Sequence, residues 1–194
     1  MKNTVTLNSI KKGYDAHTVL DGVSLVIDED TAVMGPSGKG KTTLVRIIMG
    51  LERADSGDVS FYEKPKFSAV FQEDRLFEGF SAVENITAMI GRGKEREQLV
   101  TELLCELLID PSELSKPVRD FSGGMKRRVA IARALLADSN ILVLDEPFKG
   151  LDEDTRDRTA AVIRKYAEGK LILLVTHDTH EAELLGIERV VTIE

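Results

Sequence analysis

One feature constrains the fold of this chain more than any other: the run Gly35-Pro36-Ser37-Gly38-Lys39-Gly40-Lys41-Thr42. It matches the pattern G-x-x-x-x-G-K-[ST] and stands between a short apolar run at 31–34 and a helical pattern that begins at Lys41. Glycines let successive backbone N–H groups turn toward one anion without a Cβ clash, and a helix N-terminus adds positive potential. The run therefore predicts a P-loop, which binds the phosphates of a nucleoside triphosphate.

The residues of this loop have different expected roles. Lys41 can reach the β- and γ-phosphates, and Thr42 offers its hydroxyl to Mg²⁺. The pattern alone leaves open whether the chain is a kinase, a GTPase, a motor or part of a transporter. The other expected nucleotide-binding positions in the loop are Gly35, Pro36, Ser37, Gly38, Lys39, Gly40 and Thr43.

Short apolar runs alternate with helical patterns along the chain. The run 141–145, apolar up to its last residue, and the wholly apolar run 171–175 are typical of strands buried on both faces of a parallel sheet. Alternation of such runs with helices predicts an α/β domain with parallel strands and crossover helices. Further strands are expected at 23–27, 31–34, 68–71 and 189–194, and helices at 41–51, 95–110, 125–137, 151–169 and 177–186.

The stretch 73–135 contains only helical patterns. In the helix expected at 95–110, apolar residues recur at i, i+3 and i+4, and Pro111 is expected to end it. We therefore expect one structural domain in two parts: a core formed by 1–72 and 136–194, and a helical subdomain at 73–135. The apolar positions of that helix are Leu99, Val100, Leu103, Leu104, Leu107 and Leu108.

Polar residues follow two of the apolar runs. Asp145 is the last residue of the run 141–145 and Glu146 follows it. His177 lies just beyond the run 171–175. Ligands of such sheets bind beyond the carboxyl ends of the strands. Asp145 is therefore a candidate Mg²⁺ ligand through water, Glu146 a candidate general base for an attacking water, and His177 a candidate partner of a γ-phosphate oxygen.

A second glycine pair, in Ser122-Gly123-Gly124, precedes the helix expected at 125–137. By itself this could be a flexible N-cap. The ordered set of the P-loop, Gln72, "FSGGMKRRVAIARAL", "LVLDEP", "GLDEDT" and "VTHD" resembles the ATP-binding subunit of ABC transporters. The resemblance covers essentially the whole chain.

The resemblance implies a P-loop NTPase fold: a mostly parallel central sheet, a small antiparallel β part near the N-terminus, and a helical insert carrying the signature motif. It also implies that two ATPase subunits pack head to tail around two ATP molecules. Each ATP is then held by the P-loop of one subunit and by Ser122, Gly123 and Gly124 of the other. This would explain why one chain has two glycine-rich helix starts.

Further roles are implied position by position. Tyr14 matches an aromatic residue that stacks on adenine, and Gln72 one that contacts Mg²⁺ or the lytic water. Asp152 matches the loop that crosses the dimer interface. Lys41, Gln72, Glu146 and His177 form the implied catalytic set, and Thr42, Gln72 and Asp145 the implied metal set. The segment 75–86 matches the docking region of the membrane subunit, with a local apolar core as the alternative.

Two positions depart from the family pattern. Met125 stands where glutamine is usual and cannot donate the same hydrogen bond, so we expect weaker polar contact at the interface with activity retained. Lys149 and Gly150 stand where a small polar residue and alanine are commoner.

Composition limits the partners. Acidic residues outnumber basic ones by 33 to 26, giving a net charge of −7, which argues against nucleic acid as a partner. The basic run Lys126-Arg127-Arg128 is expected to be a solvated helix face. No apolar run reaches the ~18 residues of a membrane span, and the N-terminus lacks a signal-peptide pattern. We expect a cytoplasmic protein, peripheral on the inner face of a bacterial membrane.

Together these observations predict a Mg²⁺-dependent ATPase that powers transport through separate transmembrane permease subunits. An importer of the nitrate, sulfonate or taurine type is favoured, with a substrate-binding protein as a further partner; a two-component exporter is the alternative. Three rivals are a soluble ABC-type ATPase of DNA repair or translation, a nucleotide-binding switch and a P-loop kinase. The cargo and the direction of transport are not encoded in these motifs.

Overall fold

The computed structural model describes residues 3–15, 17–36 and 38–193. These residues form two compact units. The first unit takes in the described residues up to Phe67, the segment 139–145 and the described residues from Gly169 onward. The second unit is formed by 68–138 and 146–168.

The first unit contains a three-stranded antiparallel sheet. Strands β1 (Val5–Tyr14), β2 (His17–Ile27) and β4 (Ser56–Phe61) lie in the order β2-β1-β4. The strand expected at 23–27 is therefore only the end of a longer strand. The alternation of polar and apolar residues along β2 suits a sheet with one buried face. The antiparallel part expected near the N-terminus is confirmed.

The first unit also contains parallel strands. Strands β6 (Ile141–Asp145), β7 (Leu171–Val175), β3 (Thr31–Met34) and β8 (Arg189–Thr192) lie in the order β6-β7-β3-β8. All residues of β3, β6 and β7 are buried, as continuous apolar runs predict. Helices α1 (Lys41–Ile48) and α6 (Thr179–Leu185) belong to the same unit, and β5 (Phe67–Val70) begins at its boundary. The predicted α/β fold class is confirmed.

The second unit is helical. It contains α2 (Ala82–Ile90), α3 (Lys94–Glu106), α4 (Gly123–Leu136) and α5 (Glu153–Tyr166), with α4 in contact with the other three. Two short 3₁₀ turns, Pro111–Glu113 and Val118–Asp120, connect α3 to α4. The expected insert at 73–135 falls inside this unit, and its boundaries as a subdomain stay a prediction. None of the helices described is long and apolar enough to cross a membrane.

Helix α3 ends earlier than predicted. It stops at Glu106 instead of continuing to Pro111, because Leu108 adopts a left-handed φ of 59°. The Ile109 N–H donates back to the Leu104 carbonyl (3.0 Å), which closes the helix end. Leu108 is consequently 50% exposed, not part of the buried stripe that the spacing predicted.

Candidate functional site

The predicted P-loop joins β3 to α1. Gly40 caps the first turn of α1 with φ at 87°, a left-handed value that favours glycine. A Cβ at this position would lie 2.7 Å from the Val19 side chain and 2.9 Å from that of Leu20. No larger residue fits there without displacing β2, so the loop presents main chain at the helix start. Ser37 lies outside the described residues.

The side chain of Lys41 folds back over this loop. Its ammonium donates hydrogen bonds to the carbonyls of Gly35 (2.7 Å) and Pro36 (2.9 Å). Only 7% of the residue is exposed. A cation is therefore fixed inside the loop, where it would meet phosphate oxygens.

The next residue of α1 contacts the end of a strand that is distant in sequence. The Thr42 hydroxyl donates to a carboxylate oxygen of Asp145 over 2.9 Å. Asp145 is the last residue of β6 and is 1% exposed. A hydroxyl and a carboxylate in contact beside a phosphate loop form an all-oxygen donor pair, which is the chemistry that Mg²⁺ prefers.

Strand register places these groups along one edge of the sheet. Val175 of β7 lies level with both Val33 of β3 and Asp145 of β6. The carboxyl ends of three parallel strands therefore meet at the edge from which the P-loop begins. His177 follows two residues after Val175 and is exposed at this edge.

The oxygen donors at this edge suit Mg²⁺. No group of three or more His, Cys, Asp or Glu suitable for a metal occurs among the residues that the structure describes. Mg²⁺ usually keeps several waters and shares its ligands with substrate phosphates, so it needs only one or two protein oxygens. Thr42 can supply one such oxygen directly, and Asp145, in contact with Thr42, can act through a bound water.

Tyr14 lies at the end of β1 in the first unit. Its ring is 44% exposed, and the Lys12 ammonium lies 5.3 Å from the ring centroid. The hydroxyl donates to the Glu52 carboxylate, and this hydrogen bond is the main reason that the pKa of Tyr14 is raised. The exposed ring remains accessible to a planar base.

The remaining predicted residues belong to the second unit. A pocket of about 560 Å³ brings Gln72 together with Ser122, Gly123, Gly124 and Asp152. The Ser122 hydroxyl caps α4 by accepting from the Met125 N–H over 3.2 Å. A Cβ on Gly124 would lie 3.3 Å from the Leu151 side chain. The loop Ser122–Gly124, here called the signature loop, thus exposes main chain and a small hydroxyl to this pocket.

Asp152 already has a structural contact in this pocket. Its carboxylate caps α5 by accepting from the Thr155 N–H (2.9 Å) and hydroxyl (3.0 Å). These hydrogen bonds, the backbone one foremost, hold the pKa of Asp152 below its ordinary value. Asp152 is thus the N-cap of α5, while its role at a dimer interface stays a prediction.

Glu146 directly follows Asp145 in sequence, and its backbone is strained. Its φ of 48° is unusual for a residue with a side chain. Its carboxylate lies 3.6 Å from the ammonium of Lys149. This ion pair was not predicted, although the i, i+3 spacing of opposite charges is a signal visible in the sequence.

The expectation of a solvated basic face at Lys126-Arg127-Arg128 is wrong for Arg127. Arg127 is only 4% exposed, and its guanidinium is directed at the main chain around Gln72. Arg128 is partly buried as well and donates to the carbonyls of Leu107 and Leu108. Helix periodicity alone could not reveal this, because the acceptors come from distant loops.

The segment 75–86 contains an exposed aromatic pair. Phe77 is 59% exposed and Phe80 is 45% exposed, with ring centroids 5.5 Å apart. Buried Asn85 orders the segment by accepting from the Phe77 N–H over 2.7 Å. The rings are therefore presented on an ordered loop, whereas a local apolar core would have buried them.

Comparison with known proteins gives a consistent result. A sequence model of one family, described as ABC transporter, matches residues 20–149. The aliphatic sulfonates import ATP-binding protein of Corynebacterium glutamicum is 35% identical, over 96% of this chain and 79% of that protein. The sulfate/thiosulfate import ATP-binding protein of Xylella fastidiosa is 37% identical, over 92% of this chain and 57% of that protein.

A solved structure agrees with these sequence relationships. It is a dimeric ATP-binding cassette in a post-hydrolysis state, bound to ADP and Pi. The two folds superpose with a TM-score of 0.86 at 29% sequence identity, covering 98% of this chain and 94% of the other.

Proposed function

Because this chain belongs to the ABC transporter family, whose ATP-binding subunits hydrolyse ATP to drive transport, we propose that two copies close on two ATP molecules and power the import of a sulfur oxyanion. The proposed ATP hydrolysis rests on one observation, the hydrogen bond between Thr42 and Asp145 beside the P-loop. It joins a hydroxyl, a carboxylate and a helix N-terminus at one sheet edge. This is the set of groups that a Mg²⁺-bound triphosphate requires.

Lys41 and the P-loop bind the phosphates in this proposal. The Lys41 ammonium exchanges its contacts with the Gly35 and Pro36 carbonyls for phosphate oxygens, and the N–H groups at the start of α1 donate to the same anion. Thr42 and Asp145 would hold Mg²⁺, with Gln72 as a further proposed ligand. When bound, Mg²⁺ neutralises charge on the phosphate oxygens.

Glu146 is the proposed general base. Its carboxylate accepts a proton from the water that attacks the γ-phosphate, and Gln72 orients that water. His177, two residues beyond β7, donates a hydrogen bond to a γ-phosphate oxygen. The exposed ring of Tyr14 stacks on adenine.

The second helix start supports a shared nucleotide. Ser122, Gly123 and Gly124 line an open pocket, and the N-terminus of α4 offers an anion the same kind of site as that of α1. We place these residues against the γ-phosphate of ATP bound by a partner copy. Release of that phosphate removes the bridge, so hydrolysis reopens the dimer.

The dimer is tested with Glu146→Gln, which retains the shape of the base without its charge. Size-exclusion chromatography with light scattering should show a monomer alone and a dimer with ATP. Ser122→Arg on the same background should abolish the dimer, because a long cation fills the pocket. Ser115→Arg, an exposed substitution in the same unit, is the matched control and should leave dimerisation intact. ATP binding without dimerisation would contradict the shared site.

The cargo proposal depends on the relatives, since separate subunits select the substrate. Both named relatives import sulfur oxyanions, so we propose an organosulfonate delivered by a substrate-binding protein to permease subunits. Those subunits hold this chain at the inner membrane face, and we place the Phe77 and Phe80 rings at that contact. Deletion of the encoding gene should abolish growth on a sulfonate as sole sulfur source and spare growth on cysteine. Loss of growth on sulfate instead would reassign the cargo.

A further inference from the structure

Arg127 holds the main chain of the segment 71–75, which contains Gln72. One guanidinium nitrogen donates to the Phe71 carbonyl, and the other terminal nitrogen donates to the Gln72 carbonyl over 2.6 Å. The Nε atom lies 3.2 Å from the Asp74 carboxylate. One guanidinium thus contacts three residues of a single loop, two by hydrogen bonds to main-chain carbonyls and one by an ion pair.

A second arginine of α4 holds the same segment. Arg133 donates to the carbonyls of Asp74 (2.8 Å) and Arg75 (2.7 Å). Together with Arg127 it fixes four main-chain carbonyls in a stretch of five residues. All of these contacts lie within the second unit.

Burial makes the Arg127 contact strong. The Arg127 side chain is 5% exposed and that of Asp74 is 22% exposed. A buried cation is costly unless its donors are satisfied, so any movement of the loop away from Arg127 would leave a charge without partners. The loop and the helix are therefore expected to separate rarely.

The same helix begins with the signature loop. Ser122 is the N-cap of α4, and Arg127 lies five residues further along the continuous helix Gly123–Leu136. We propose that Arg127 is a positioning residue that makes Gln72 and the signature loop Ser122–Gly124 move as one body. This inference rests on the proposed function, in which Gln72 orients the lytic water and Ser122 contacts the partner's nucleotide.

The chemistry requires arginine at this position. A planar guanidinium can donate to two successive carbonyls and to a carboxylate at once, whereas a lysine ammonium acts as a single point charge. Arg127→Lys should therefore retain only part of the positioning of the segment 71–75. The matched control is Arg128→Gln, which removes a neighbouring, partly buried guanidinium whose acceptors are the carbonyls of Gly124, Leu107 and Leu108.

The test combines hydrogen exchange with turnover. In Arg127→Gln, peptides covering 71–75 should exchange faster than in wild type, and the same peptides in Arg128→Gln should not. The kcat for ATP should fall by about 10- to 100-fold, as expected when a reacting group is misplaced by ~1 Å. The Kd for ATP should stay within about twofold, because the P-loop residues lie in the other unit.

A double-mutant cycle measures the coupling between Arg127 and Gln72. Adding Arg127→Gln to Gln72→Ala should lower kcat little further, since Arg127 acts through Gln72. A full additive loss, or unchanged exchange of 71–75 in Arg127→Gln, would overturn the inference. If Arg127→Gln fails to fold, Arg127→Lys replaces it, with Arg128→Lys as the control. The inference is then judged by the hydrogen exchange of peptides covering 71–75 alone. Absence of ATP turnover in wild type would refute the proposed function. The positioning role of Arg127 would then be tested by the hydrogen exchange of peptides covering 71–75.

Discussion

The Thr42 hydroxyl donates a 2.9 Å hydrogen bond to the Asp145 carboxylate, although 103 positions separate them in sequence. The contact joins the first turn of α1 to the end of β6. It links the phosphate loop to the proposed metal ligand.

Asp145→Asn should weaken the use of Mg²⁺. An amide keeps the shape of the side chain but loses the negative charge, and loss of such an outer-shell carboxylate typically weakens metal affinity by about 10- to 100-fold. The Mg²⁺ concentration for half-maximal ATP hydrolysis should rise accordingly. Asp58→Asn, on the exposed strand β4, is the control and should behave like wild type. An unchanged Mg²⁺ requirement in Asp145→Asn would remove Asp145 from the metal site.

Gly40→Ala should disturb the P-loop more than Gly50→Ala. Both glycines have left-handed φ angles, 87° and 69°, but only a Cβ at 40 meets other atoms, those of Val19 and Leu20. Each variant should lose about 1–3 kcal/mol of folding free energy from backbone strain. The Gly40 variant should lose more and also bind ATP more weakly, which urea unfolding and nucleotide titration would measure. Equal loss in both variants would contradict the steric argument.

Tyr14→Leu should weaken ATP binding, and Tyr14→Phe should not. Stacking of a base on an aromatic side chain contributes about 1–3 kcal/mol, and phenylalanine keeps the ring. The Tyr14 hydroxyl is engaged by Glu52, so its loss should alter stability and leave nucleotide affinity unchanged. Calorimetric titration with ATP measures the nucleotide affinity of both variants. A weakened Tyr14→Phe variant would show that the hydroxyl, and not the ring, contacts the nucleotide.

Lys149→Met should raise the hydrolysis rate. The Lys149 ammonium, 3.6 Å from the Glu146 carboxylate, competes with water for the proposed base. A charge contact of this length in water is worth about 1 kcal/mol, so the gain should not exceed about fivefold. The control is Lys116→Met, which breaks the i, i+3 pair between Lys116 and Glu113 at 2.6 Å and should leave the rate unchanged. A fall in the rate would mean that Lys149 assists catalysis.

Glu106→Gln should reduce stability in a pH-dependent way. Hydrogen bonds from Lys165 and Tyr166 lower the pKa of Glu106 below 4.5, the lysine contributing most. Because the folded state holds the charged form more tightly, this stabilisation is present above pH 4.5 and is lost as the pH falls through the lower folded pKa. Urea midpoints of wild type and variant should differ at neutral pH and converge in acid. A difference that stays constant with pH would contradict the assignment.

Much of the site could be predicted from sequence because its groups depend on local spacing. The P-loop is one continuous run, and the apolar runs before Asp145 and His177 identify strands whose carboxyl ends meet at one edge. The N-cap Ser122 could likewise be read from the sequence, because it stands directly before a helical pattern. The early end of α3 was missed, because Leu108 takes a left-handed conformation that favours glycine.

The sequence by itself determined the fold family, the phosphate loop and the two helix starts, because each is set by neighbours along the chain. Only the tertiary structure decided where Arg127 lies. Its spacing allowed a solvated face, but packing in the second unit brings the carbonyls of Phe71 and Gln72, more than fifty residues away, to its guanidinium. Burial and such long-range acceptors depend on the whole packed unit, so no local pattern encodes them.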